Sequence, residues 1–147
     1  MKRKEIIQRL KKYFSLSELV CPHILEKHKE NSWMFLSTQI LHTLLVLRTD
    51  ILNKPLIINN SNAKQRGMRC NMCPIVKAKT TAYESAHCNG MGFDITVKGM
   101  SAEEARNEII KNEHKLPYPI RLENDVTWLH IDCYDMCNDK MINVFTV

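Results

Sequence analysis

The sequence predicts an α+β fold in which N-terminal helices pack on a small, mostly antiparallel sheet, and three observations lead there. Apolar residues recur at three- and four-residue intervals across residues 32–52, the spacing of a helix with one face in a core. Short segments rich in Ile, Val, Leu and Thr, at residues 56–60, 92–97, 120–123 and 127–133, carry the strand pattern instead. Helices come first and strands follow, which is the order of an α+β domain.

Taken in order, Ile6, Ile7, Leu10 and Phe14 lie at helical spacing among lysines and arginines, so residues 1–14 hold an amphipathic first helix with a basic, solvated face. Ser15-Leu16-Ser17-Glu18 fits a capping box for a short second helix that stops near Cys21-Pro22-His23. Residues 32–52, with Met34, Leu36, Ile40, Leu41, Leu44 and Leu47 among their apolar positions, form the central core helix; His42 lies on or beside that stripe as a core or boundary residue. Asn53-Lys54-Pro55 ends it, and a short buried strand follows at 56–60. Residues 61–84 are polar and irregular, and an unstructured loop of that length in a compact domain is usually functional or mobile. A strand at 92–97 precedes a second capping box, Ser101 to Glu104, which starts a helix through about His114. Pro117-Tyr118-Pro119 breaks that helix, strands at 120–123 and 127–133 form a hairpin around Asn124-Asp125, and residues 143–147 supply an edge strand.

The 147 residues are expected to form a single domain, with an ordinary 44% hydrophobic and 25% charged content. Only 4 glycines and 5 prolines argue against low-complexity linkers. No stretch reaches about 18 apolar residues, so no membrane span is expected. The N-terminus opens basic without an apolar core behind it, unlike a secretory signal, so the chain is expected to be cytoplasmic when made. In that compartment its 6 cysteines are expected to be thiols or metal ligands. A net charge of +5 favours anionic partners but is too mild for a nucleic-acid domain, so none is expected to bind.

One constellation carries chemistry. His87 and Asp94 bracket a glycine-containing bend, Cys88-Asn89-Gly90-Met91-Gly92, and His130 follows in Trp128-Leu129-His130-Ile131-Asp132. Two histidines and a carboxylate are a three-ligand set that leaves zinc a position for water. Strand alternation puts His130 and Asp132 on one face, opposite Leu129 and Ile131, and Asp94 on one face of its own strand, opposite Phe93 and Ile95. Spacing alone leaves open a loop histidine, a turn carboxylate and a half-buried sheet histidine.

The ordered motifs go further. Ser85-Ala86-His87, Gly90, Gly92 and Asp94, with Trp128 to Asp132, closely resemble the signature of zinc D-alanyl-D-alanine carboxypeptidases and related phage endolysin peptidases. That group shares its metal site with hedgehog and lysostaphin-like enzymes. Tyr13 to Cys21 resembles the family's opening segment, and Gly67-Met68-Arg69 its G-Y-R. The resemblance implies a zinc peptidase acting on peptidoglycan stem peptides as a carboxypeptidase or endopeptidase; the chain is expected to be a monomer. The same resemblance implies His87, Asp94 and His130 as zinc ligands, with Asp132 and Ser85 supporting them from behind. Arg69 would bind a substrate carboxylate, with Arg66 the alternative. A bacteriophage or prophage product, released by lysis or carried in a particle, is compatible with this reading.

The pattern departs at the proton acceptor, because Thr127 stands where members often carry a glutamate. Glu123, seven residues before His130, and Asp125, five before, are the candidates, Glu123 preferred. Should neither reach the metal, a non-catalytic wall-binding or virion structural protein on the same scaffold is the alternative. The cysteines offer a rival zinc use: Cys70-x2-Cys73 resembles half a zinc knuckle, with Cys133-x3-Cys137 as its other half.

Overall fold

The computed structural model describes residues 1–147. Helix α1 (Arg3–Leu10) buries Ile6 and Leu10 and packs on the central helix. It ends at Leu10, short of the expected residue 14, and Lys11 to Tyr13 continue as a turn in which the Phe14 N–H bonds the Leu10 carbonyl at 2.9 Å. Helix α2 (Leu16–Leu19) opens on the expected capping box, the Glu18 carboxylate accepting from the Ser15 N–H at 2.8 Å. Helix α3 (Pro22–His28) has no counterpart in the sequence reading. It fully buries no residue and sets only Ile24 and Leu25, half-buried, against the core, a face too short to stand out; Pro22 at its first position is its clearest local signal.

The long helix expected over 32–52 is divided. A 3-10 segment, Lys29–Phe35, precedes a break at Leu36 and Ser37. Helix α4 (Thr38–Val46) then begins, capped by Ser37 Oγ, which accepts from the Ile40 N–H at 3.1 Å. Its last turns widen into a π-helix, Leu47–Ile51. The periodicity survives the break because both pieces face one core, in which Ile40, Leu41, Leu44 and Leu45 are fully buried. His42 sits half-buried, edge-on to Tyr118 at 5.8 Å.

Five strands form a mixed sheet: β1 (Leu56–Ile57), β2 (Gly92–Val97), β3 (Ile120–Glu123), β4 (Leu129–Asp132) and β5 (Ile142–Phe145), in the order β1-β2-β4-β3-β5. All pairings are antiparallel except β3 with β5. The parallel edge has a simple cause. The end of β4 lies opposite Arg121, so a short excursion through 133–141 returns the chain to the start of β3. β1 and β4 are shorter than the segments 56–60 and 127–133 suggested. The 61–84 loop carries one short helix, α5 (Pro74–Lys77). Helix α6 (Ala102–Lys111) keeps its capping box, with reciprocal Ser101 and Glu104 bonds of 2.7 and 3.1 Å, and gives way to a 3-10 turn, Glu113–Lys115. No helix is long and apolar enough to cross a membrane.

Phe93, Ile95, Leu122, Leu129 and Ile131 leave one face of the sheet for a core shared with α4 and α6. Asp94, His130 and Asp132 leave the other, as strand alternation requires.

Candidate metal centre

The register of β2 against β4 sets Asp94 directly opposite His130. His130 Nδ1 lies 2.7 Å from Asp94 Oδ1. His87 arrives from the bend before β2, its Nε2 3.3 Å from Asp94 Oδ2. The bend depends on Gly90, at φ +62°, where a Cβ would stand 1.8 Å from the Phe35 carbonyl oxygen. That carbonyl belongs to the break before α4, and Gly90 returns a bond by accepting from the Ser37 N–H at 2.9 Å. The interrupted helix thus has a purpose in the fold: its break holds the bend that carries His87.

The far side of each imidazole is held as well. His87 Nδ1 donates to the Gly67 carbonyl at 2.9 Å, since a carbonyl only accepts, and Nε2 is the ring nitrogen that faces Asp94. Gly67 can approach because it has no side chain; a Cβ there would lie 2.4 Å from the Leu19 carbonyl oxygen. His130 Nε2 donates to Asp132 Oδ2 at 2.9 Å, turning Nδ1 toward Asp94. Asp132, fully buried, is gripped by Arg121 through Nε and Nη2, both at 2.8 Å. Ser85 Oγ accepts from the His87 N–H at 3.3 Å, steadying the bend.

The electrostatics follow the contacts. Burial would raise the Asp94 carboxyl, but hydrogen bonds from His130 and His87 outweigh it and hold the group well below the usual carboxylate range. Burial would lower His130, yet its bonds to Asp132 and Asp94 win and lift it to about 9. Asp132 is held low, against its burial, by His130 and Arg121.

His87, Asp94 and His130 are all buried, and their ligand atoms lie within 4.8 Å of one another, so the three could hold one metal ion. Two imidazoles and a carboxylate suit a borderline cation such as zinc, and a three-ligand set leaves a further position. The fixed second nitrogens fit as well, since ligating histidines usually donate their other N–H to a carboxylate or carbonyl. Above the three lies a cleft of about 450 Å³, lined by Arg69, Lys79, Tyr83, Glu123, Trp128 and Phe145 among others.

The expected carboxylates separate here. Arg121 pairs with Asp132 and Leu122 with Ile131, and continuing that register sets Glu123 opposite His130, on the cleft. Asp125 is exposed in the hairpin turn at φ +59° and does not line the cleft. The arginines separate as well. Arg69 is buried in the cleft wall, its Nη2 3.3 Å from Asp94 Oδ2 and its Nη1 3.0 Å from the Tyr83 hydroxyl. Arg66 turns away to Thr96 Oγ1 at 2.8 Å, and only its carbonyl serves the site, accepting from the Asp94 N–H.

Sequence reasoning missed Arg121, Tyr83 and Lys79. Arg121 was within reach, because on β3 it shares a face with Glu123 and so faces the side that carries His130 and Asp132. Tyr83 and Lys79 sit in an irregular loop that has no periodic signal.

The cysteine pairing differs from the expected one. Cys133 is buried beside Thr43 Oγ1 at 3.8 Å, its thiol pushed by burial to about 12, and Cys137 is exposed. Neither meets Cys70 or Cys73, whose neighbours are Cys21 and His23. Cys88 is half-buried, and that burial raises its thiol, which works against ready oxidation.

Compared with family models, curated proteins and solved structures, the chain finds no match.

Proposed function

We propose that the chain is a zinc peptidase of the D-alanyl-D-alanine carboxypeptidase and endolysin kind, hydrolysing peptidoglycan stem peptides in the cleft above His87, Asp94 and His130. The observation that carries this reading is the convergence of His87 Nε2 and His130 Nδ1 on the Asp94 carboxylate, with Gly67 O and Asp132 holding the opposite nitrogens. Structural ion pairs need no such fixing of both ring nitrogens; ligands do. His87, Asp94 and His130 would hold zinc, which when bound supplies Lewis acidity toward a carbonyl and water.

The chain's own groups do the rest. Glu123, opposite His130 at the cleft, takes a proton on its carboxylate from the attacking water and passes it to the leaving amine. Arg69 presents its guanidinium to the terminal carboxylate of a stem peptide, a planar fork for a planar anion. Its bonds to Asp94 and Tyr83 set the fork's orientation before substrate arrives. Asp132, clamped by Arg121, anchors His130 Nε2 and so turns Nδ1 toward the position a metal would take.

His130→Ala tests the reading. It should abolish cleavage of D-Ala-D-Ala peptides and remove the zinc held by this site; unchanged cleavage would overturn it.

A further inference from the structure

Cys21, His23, Cys70 and Cys73 come from two distant stretches of chain, yet their donor atoms all lie within 4.8 Å of one another. The backbone explains how. Val20 and Met68 form a parallel bridge, the Cys21 N–H donating to the Met68 carbonyl at 3.0 Å and the Met68 N–H to the Leu19 carbonyl at 2.8 Å. This brings the start of α3, where Cys21 is the N-cap and His23 lies in the first turn, against the turn from Cys70 to Cys73. That turn is closed by the Cys73 N–H on the Cys70 carbonyl at 3.1 Å, and Cys73 then caps α5.

The distances suit one shared ion. Cys70 Sγ and Cys73 Sγ are 4.0 Å apart, and His23 Nδ1 lies 3.6 Å from the first and 3.9 Å from the second. A tetrahedral zinc, with bonds of about 2.3 Å to sulfur and 2.0–2.1 Å to nitrogen, sets ligands about 3.8 Å apart for two sulfurs and about 3.6 Å for sulfur and nitrogen. A disulfide needs sulfurs at about 2.05 Å, and all these cysteines are free. Backbone N–H groups already point at the sulfurs: Met72 N–H at Cys70 Sγ, 3.4 Å, and Cys70 N–H at Cys73 Sγ, 3.3 Å. Such donors stabilise thiolate charge.

We propose that Cys21, His23, Cys70 and Cys73 form a second metal site, a closed three-cysteine, one-histidine zinc clamp, distinct from the cleft. Four protein ligands leave no position for water or substrate, so the ion there is structural. It pins the irregular 61–84 loop to α3 next to the residues the cleft borrows from that loop. Gly67, which orients His87, and Arg69, which reaches Asp94, immediately precede Cys70.

The test is metal analysis and cobalt substitution of the full chain. Wild type should hold two zinc ions, and His130→Ala and the Cys70→Ser/Cys73→Ser double variant one each. Cobalt-loaded His130→Ala should keep thiolate-to-cobalt charge-transfer absorption, and cobalt-loaded double variant should lack it. Should the double variant fail to fold, His130→Ala alone decides: one cobalt with charge-transfer absorption upholds the clamp. No bound cobalt in that variant, or cobalt without the absorption, overturns it. Because the readout is thiolate ligation, its outcome is independent of whether the cleft hydrolyses peptides.

Discussion

Asp132→Asn separates a working metal site from a mere ion-pair network. Asp132 Oδ2 accepts from His130 Nε2 at 2.9 Å and Arg121 Nη2 at 2.8 Å; Oδ1 accepts from Arg121 Nε at 2.8 Å and the Tyr134 N–H at 3.1 Å. Asparagine keeps the shape but supplies one acceptor and one donor. With its NH2 at the Oδ1 position, Arg121 Nε–H and Tyr134 N–H each face a donor. With the NH2 at the Oδ2 position, His130 Nε2–H and Arg121 Nη2 each face a donor, and the ring that turns Nδ1 toward Asp94 loses its anchor. Either arrangement weakens the ligand set. Loss of such an outer partner typically costs 10–100-fold in metal affinity, about 1.4–2.8 kcal/mol. Zinc affinity measured by chelator competition, fitted as two sites, should show the weaker binding at the cleft site alone. A cleft affinity within twofold of wild type, while His130→Ala abolishes it, would refute the role given to Asp132.

Glu123→Gln should lower peptide hydrolysis by roughly 10²–10⁴-fold with zinc content unchanged, whereas Asp125→Asn, altering an exposed turn, should stay near wild type; steady-state rates with metal analysis check both. Gly90→Ala forces a side chain into φ +62° and against the Phe35 carbonyl. A cost of at least about 1–3 kcal/mol is expected from the backbone strain, read as a lower thermal midpoint. His42 is held below the usual histidine range, first by burial and then by the N-terminal amine and Arg9. A depressed histidine favours the fold while neutral, so its contribution is intact above about pH 6.5 and fades as pH falls toward the folded value. Urea midpoints between pH 7 and 5 should therefore fall less in His42→Gln than in wild type; an equal fall would count against this assignment.

The sheet face that carries the site was legible because strand alternation is local. Asp94, His130 and Asp132 share a side opposite Phe93, Ile95, Leu129 and Ile131, as the period of two requires. Both capping boxes were legible for the same reason. The break at Ser37 was hidden, since apolar spacing persists across it and its cause is a tertiary contact with Gly90. Helix α3 only half-buries Ile24 and Leu25, too short an apolar face to stand out. The candidate trio His87, Asp94 and His130 could be read from motif order, but the neighbours of Cys70 and Cys73 could not. Cys21 and His23 lie about fifty residues upstream and are brought in by the Val20–Met68 bridge, a contact without sequence spacing. The parallel pairing of β5 was likewise set by where β4 ends, not by residues 142–145 themselves.

The most direct test of the central claim is digestion of purified peptidoglycan by the zinc-loaded chain, with muropeptide masses read by mass spectrometry and Glu123→Gln run alongside. Stem peptides shortened by hydrolysis at one type of peptide bond are expected in the wild-type digest, and intact ones in the variant. Intact muropeptides from a wild-type chain carrying its full complement of zinc would contradict the claim.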